Sequence, residues 1–177
     1  VLPKGGGGAI RSHLATYLQR LGLQGAAIER SVGHKLLFRR GSEPIAGQGV
    51  LLAGDAAGLA DEFTEEGIFY AVKSGLLAAR AVTRALEQGF TGLGAYQRMV
   101  DRRIMPELRA ARTIASLFYG TMRLSPHLML ALSRRVTYFW DAFFRVQAGA
   151  SGYDVELSRA WWLRPLLPFL SRAADRR

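Results

Sequence analysis

The chain has 177 residues, of which 49% are hydrophobic and 21% charged, and its mean hydropathy is +0.06. This length and composition fit one folded domain or a piece of a larger protein, and they argue against intrinsic disorder. The absence of cysteine excludes disulfides, thiolate catalysis and cysteine-ligated metal, while a formal net charge of +10 points to anionic partners.

The basic charge is not accompanied by a nucleic-acid motif. Lysine and arginine number 24 against 14 aspartate and glutamate, but the arginines are spread from Arg80 onward rather than gathered in one run. We therefore expect no nucleic-acid partner. The histidines His13, His34 and His127 are far apart in the sequence and show no ligand spacing, so no metal site is expected.

No segment has the ~20 consecutive apolar residues that a membrane-spanning helix needs, and the first residues lack the layout of a signal peptide. We expect a cytoplasmic protein. A peripheral position at the inner face of the membrane stays open, because a basic surface also fits anionic lipid headgroups.

The first 48 residues combine a flexible start with one short helix. Residues 5–8 are four glycines, which favour a turn or linker. Ser12 is a candidate N-cap and Gly22 a candidate stop, which predicts a helix over 12–21. Its apolar positions recur at helical spacing: Leu14, Tyr17, Leu18 and Leu21. The stretch that continues to Arg39 predicts extended structure.

Residues 49–53 form a short apolar run between glycines, typical of a strand buried on both faces. After a turn-rich segment, Thr64 can cap a helix whose first turn carries Glu65 and Glu66 and which ends at Gly89. We predict that one apolar face of this helix packs inward: Ile68, Ala71, Val72, Gly75, Leu76, Ala79, Val82 and Leu86.

From Gly92 to Ala148 the pattern is helical, with a new helix opening at Ser125 and Pro126. Residues 149–152 predict a loop. One stripe of the first long helix is apolar: Ile104, Leu108, Ala111, Ala115, Phe118 and Met122. The aromatic and basic tail 161–170 contains two prolines, and it favours equally a contact with another part of the protein or shallow insertion at a membrane surface.

The segment that carries chemistry is the end of the apolar strand and the start of the following helix. Ligands of open α/β sheets lie at such strand ends. Gly54 and Gly58 remove side chains where a ligand approaches, and an ionised Asp55 can accept hydrogen bonds from ribose-like hydroxyls. Backbone N–H groups at the helix start near Gly67 and Ile68 can face an electron-rich oxygen.

Three segments in this order, 50–59, 66–68 and 71–75, resemble the geranylgeranyl reductase family of FAD-dependent oxidoreductases, within a wider group that includes aromatic monooxygenases. Residues 1–5 and 33–37 are similar to the family more weakly, as are Tyr96, 106–108 and 149–157.

The resemblance implies an α/β fold, as part of a larger Rossmann-like FAD-binding flavoprotein, with this chain itself mostly α-helical and containing a few short strands. Residues 1–48 would end a substrate domain and return to the FAD domain, 49–89 would be the C-terminal segment of the FAD domain, and 90–177 a helical C-terminal region. The implied cofactor contacts are Gly54, Asp55, Ala56, Gly58, Glu66, Gly67 and Ile68.

The resemblance also implies reduction of isoprenoid C=C bonds, with electrons from NADPH or another donor passing through FAD to an isoprenoid or other apolar small molecule. No catalytic residue is assigned. The sequence departs from the family pattern at Glu62, where members usually have proline, and at Glu65, where they usually have glycine.

The Gly-x-Gly-x-x-Gly fingerprint that binds a cofactor pyrophosphate is missing from these 177 residues. We therefore expect roughly 200 residues before Val1, from typical domain sizes, and no activity from this chain alone. The alternatives are a flavin monooxygenase, halogenase or electron-transfer dehydrogenase, and a non-catalytic basic helical module that binds a membrane or a partner.

Overall fold

The computed structural model describes residues 7–41, 43–88, 93–135 and 137–160. It is mostly helical with two short strands, as the sequence predicts for this chain. Two compact units are present, Val1–Lys35 and Leu36–Arg177. The three domain boundaries implied by the family resemblance stay a prediction.

The first unit contains helix α1, Gly7–Arg20. The helix begins five residues before the predicted cap, so Ser12 lies inside it, and Gly7 and Gly8 belong to its first turn rather than to a linker. Gly22 ends it as predicted: its φ is +70°, and the N–H of Leu23 donates to the carbonyl of Leu18 (2.9 Å) in a Schellman arrangement. The apolar stripe of α1 is largely exposed.

An irregular segment begins in the first unit and continues into the second, where a minimal hairpin follows it along the chain. The described residues between 23 and 45 form no helix or strand, so the predicted extended segment is not part of a sheet. Strands β1 (Ala46–Gly47) and β2 (Val50–Leu51) pair antiparallel. The prediction of a strand buried on both faces is wrong, because one short neighbour covers little of it and Val50 remains 59% exposed.

Helix α2, Ile68–Gln88, buries a different face from the predicted one. The buried positions are Tyr70, Ser74, Leu77, Ala81 and Ala85, whereas Ile68, Val72, Leu76, Val82 and Leu86 are exposed. The helix is apolar on two sides, and the side that contains Ser74, Leu77 and Ala81 packs against its neighbours. It also begins four residues after Thr64, which therefore does not cap it.

Five further helices follow among the described residues. They are α3 (Gly94–Arg103), α4 (Met105–Leu124), α5 (Pro126–Arg135), α6 (Thr137–Gln147) and α7 (Tyr153–Arg159). The sequence predicts a helical stretch over most of them, but not the division between α3 and α4 at Ile104, the division between α5 and α6, or helix α7. The predicted break at Ser125 and Pro126 and the loop over 149–152 are confirmed. The first four positions of the predicted stripe, from Ile104 to Ala115, are buried, whereas Met122 is exposed.

The second unit has two hydrophobic cores. One joins the hairpin side with α2, α3 and the start of α4, and it includes Leu59, Tyr70 and Tyr96. The other lies between α4, α6 and α7 around Phe63. The segment 58–67 therefore contributes to both cores.

Within the part of the chain that the structure describes, none of the helices has the length and apolarity required to cross a bilayer. The predictions that concern Gly89, the tail 161–170 and residues 1–5 fall on positions outside the described residues.

Candidate functional site

The turn after β2 is a short 3-10 helix, Gly54–Ala57, held tightly against α2. Gly54 has a φ of +54°, and a Cβ there would lie 2.9 Å from the Cβ of Ala71. Its N–H donates to the Ser74 hydroxyl (2.9 Å). Glycine is therefore required at this position both for its backbone conformation and for the approach of α2.

An open groove of about 370 Å³ lies between this turn and the start of α2. It is lined by Ala53, Gly54, Asp55, Gly67, Ile68 and Ala71. Four predicted site residues, Gly54, Asp55, Gly67 and Ile68, thus meet at one surface, although Asp55 and Gly67 are 12 positions apart in the sequence.

Asp55 and Gly67 define the chemistry of this groove. The Asp55 side chain is exposed, and its Oδ1 would lie 2.6 Å from a Cβ placed on Gly67. Any side chain at Gly67 would consequently displace the carboxylate. The groove presents a carboxylate acceptor directly beside the first turn of a helix.

The first turn of α2 supplies donors. The carbonyl of Gly67 accepts the first helical hydrogen bond, from the N–H of Ala71 (2.8 Å). N–H groups at a helix start have no acceptor within the helix and carry the positive end of its dipole. The Phe69 N–H donates to Glu66 Oε1 (2.9 Å). An electron-rich ligand atom is accordingly favoured beside Gly67 and Ile68.

The other three predicted contact residues do not line the groove. Ala56 is exposed on the turn, and Glu66 caps α2 through its side chain. Gly58 is buried behind the turn with a φ of +68°, where a Cβ would lie 2.9 Å from the backbone nitrogen of Arg39. Its carbonyl accepts a hydrogen bond from that same nitrogen (2.8 Å).

Arg39 is a buried cation behind the glycine turn. Its guanidinium lies 3.6 Å from Asp101 and 3.8 Å from Glu43, while its Nε and Nη2 have no hydrogen-bond acceptor among the described residues. Both carboxylates therefore lie beyond hydrogen-bond distance of a guanidinium that is buried away from water. Nothing in the local sequence indicates that Arg39 is buried.

Asp61 is the main site residue that sequence reasoning missed. Only 2% of it is exposed. Its Oδ1 accepts the N–H groups of Phe63 and Thr64 (2.7 Å each), and its Oδ2 accepts the hydroxyls of Thr64 (2.5 Å) and Tyr153 (3.3 Å). An Asp three residues before Thr is a local signal for such a turn, but nothing local indicates Tyr153.

The two glutamates that depart from the family pattern do not line the groove. Glu62 forms a close ion pair with Arg112 (2.5 Å) and a longer one with Arg40 (3.4 Å). Glu65 is exposed and has a φ of +62°, a conformation that favours glycine. Both side chains therefore belong to the loop that precedes Gly67 and do not enter the groove.

No three His, Asp or Glu side chains among the described residues converge closely enough to hold a metal ion.

Comparison with known proteins finds one distant relative of interest. An uncharacterized protein of Methanosarcina barkeri (strain Fusaro) is 34% identical to this chain over 122 residues, which are 69% of this chain and 31% of that protein. The chain thus aligns with under a third of this relative's length. No family model matches the chain. No solved structure matches it significantly.

Proposed function

We propose that this chain supplies one half of an FAD site in a flavin-dependent oxidoreductase. The observation that carries the proposal is the groove in which the exposed Asp55 carboxylate meets the Gly67 end of α2. A carboxylate acceptor and helix-start donors on one surface match a ligand with hydroxyl groups at one end and an electron-rich carbonyl at the other.

The residues present fit the flavin end of the cofactor. Asp55 would accept hydrogen bonds from the ribityl hydroxyls, while the N–H groups at Gly67 and Ile68 would face the pyrimidine carbonyl. Gly54 and Gly67 leave room for this approach because neither carries a side chain. Bound FAD would supply the hydride or electron transfer, and the residues of this chain would bind and orient it.

The pyrophosphate end of FAD would be held by another part of the intact protein. These 177 residues contain no Gly-x-Gly-x-x-Gly fingerprint, and the M. barkeri relative is much longer than its aligned segment. We therefore propose an assembled site in which this chain forms one wall.

The test of FAD binding is the substitution Asp55→Ala in the intact protein that contains this chain. Hydrogen bonds to a charged group are worth about 1.5–3 kcal/mol, so we expect FAD affinity to fall at least tenfold. Fluorescence titration with FAD measures this change. Asp141→Ala, an exposed aspartate on α6, is the matched control and should leave affinity unchanged.

A colourless intact protein that takes up no FAD on titration would remove the proposal altogether. Equal FAD affinity in Asp55→Ala and the unmodified protein would remove Asp55 from the site.

For the reaction itself, we propose reduction of isoprenoid C=C bonds, with NADPH or another donor as the electron source. The ordered resemblance over 50–75 supports this substrate class. The FAD-loaded intact protein should saturate polyprenyl double bonds when a reductant is supplied, as product mass would show. Hydroxylation of an aromatic compound with polyprenyl bonds left untouched would instead assign a monooxygenase.

A further inference from the structure

The loop that presents Gly67 is closed on itself by Asp61. Besides its side-chain bonds, the Asp61 N–H donates to the carbonyl of Glu66 (3.0 Å), and its carbonyl accepts the N–H of Glu65 (3.1 Å). Both ends of the loop 61–66 are therefore tied to one residue. Because Gly67 follows directly, the position of the α2 start depends on how this loop is held.

The helical region holds the loop from outside. Tyr153 of α7 donates its hydroxyl to Asp61 Oδ2 (3.3 Å), and Tyr119 of α4 donates its hydroxyl to the carbonyl of Phe63 (2.8 Å). These bonds join residues 92 and 56 positions apart in the sequence. Burial and the neighbouring Asp61 carboxylate raise the pKa of the Tyr153 phenol, so it remains a hydrogen-bond donor at neutral pH.

Phe63 anchors the same loop by packing. Its ring makes edge-to-face contacts, with centroids 5.4–6.5 Å apart, to five aromatic rings of α4, α6 and α7. These rings belong to Phe118, Tyr119, Phe139, Phe143 and Tyr153. The loop is thus fixed to the helical region at its backbone, at its buried carboxylate and at its aromatic side chain.

Helix α7 is fixed independently of the loop. Glu156 accepts two hydrogen bonds from Arg145 of α6 (3.0 and 2.8 Å), one from Arg159 (2.9 Å) and one from the Tyr138 hydroxyl (3.1 Å). Tyr153 consequently extends from a helix that is itself braced, which makes it a firm point of attachment.

We infer that Tyr119 and Tyr153 are positioning residues for the proposed flavin site: through Phe63 and Asp61 they set the loop that places the Gly67 helix start opposite Asp55. This inference rests on the proposed function. It gives the helical C-terminal region a role in cofactor binding although none of the residues that the structure describes in this region lines the groove.

The experiment compares three substitutions that each remove one phenol oxygen from the intact protein. Tyr119→Phe and Tyr153→Phe break the two bonds to the loop. Tyr138→Phe is the control, because it removes a hydroxyl that does not contact the loop, while the bonds of Arg145 and Arg159 to Glu156 continue to hold α7. The first readout is amide hydrogen exchange of residues 63–68 without FAD, and the second is FAD affinity together with the visible absorption spectrum of the bound flavin.

We expect Tyr119→Phe and Tyr153→Phe to accelerate exchange at 63–68 and to raise the FAD dissociation constant, each roughly threefold to tenfold, as loss of one hydrogen bond implies. The flavin spectrum should shift in both. Tyr138→Phe should change neither property by as much as twofold, even where it lowers the melting temperature.

Equal exchange rates at 63–68 in all three variants would overturn the inference, as would faster exchange with unchanged FAD affinity and spectrum. If the unmodified protein takes up no FAD, the proposed function fails and the inference fails with it. If it takes up FAD and all three variants bind it equally, only the inference fails.

Discussion

At the scale of single residues, the most informative position is Glu65. It is a non-glycine residue with positive φ, at +62°, in the loop that leads to Gly67. The left-handed backbone conformation is roughly 1–2 kcal/mol less favourable for a residue that carries a Cβ. The backbone at this position therefore has a conformation that glycine would adopt without this cost.

Glu65→Gly should therefore stabilise the protein. Relief of the left-handed strain outweighs the extra unfolded-state freedom of glycine, so we expect a gain of roughly 0.5–1 kcal/mol, measured by thermal or urea unfolding. Glu65→Ala is the matched control, because it removes the carboxylate but keeps the Cβ. If both variants gain equally, charge rather than backbone conformation explains the effect.

At the scale of secondary-structure elements, α2 presents two apolar sides. Leu76 is 60% exposed, whereas its neighbour Leu77 is only 4% exposed and belongs to the core. Periodicity reveals that a helix is amphipathic, but it does not choose between two apolar sides. The choice depends on packing partners that are remote in sequence.

The pair Leu76→Ala and Leu77→Ala tests which side is buried. We expect Leu77→Ala to cost about 2–5 kcal/mol through lost contacts and a cavity, and Leu76→Ala to stay within about 0.5 kcal/mol. Urea unfolding of the intact protein measures both. A comparable loss in Leu76→Ala would mean that another part of the intact protein covers the outer side of α2.

The elements that could be predicted from sequence are those whose signals are local. Gly22 and the pair Ser125 and Pro126 mark helix boundaries through their own backbone preferences, and the structure confirms both. The approach of the α2 start to Asp55 is expected from the order strand, turn and helix, and both residues line one groove, while their contact with a cofactor stays a prediction. The buried Asp61 was missed because one of its hydrogen-bond donors, Tyr153, is 92 positions away.

At the scale of the whole molecule, acid stability should depend on Glu156. Hydrogen bonds from Arg145, together with those from Tyr138 and Ser151, hold the pKa of this carboxylate at about 2, against an ordinary 4.5. Only 3% of Glu156 is exposed. Because its folded-state pKa is lowered, its stabilising contribution is present above about pH 4.5 and is lost as the pH falls toward 2.

Glu156→Gln should lower the melting temperature at pH 7, and the difference from the unmodified protein should shrink between about pH 4.5 and 2. Circular dichroism melts over this pH range measure the difference. Asp154→Asn, which removes an exposed carboxylate from the same helix, is the control for loss of a surface charge at neutral pH. A pH-independent difference for Glu156→Gln would indicate a packing effect alone.

The contacts of Phe63 with the aromatic rings of α4, α6 and α7 also affect the order in which the molecule folds. Phe63 and its hydrogen-bonding partner Tyr119 are 56 positions apart in the sequence, and Asp61 and its partner Tyr153 are 92 positions apart. These contacts therefore join residues that are far apart along the chain. Bringing such distant residues together costs more chain entropy than forming contacts between consecutive helices. The groove should consequently take its final shape only after α7 has docked, so we expect it to be among the last parts of the molecule to become ordered during folding.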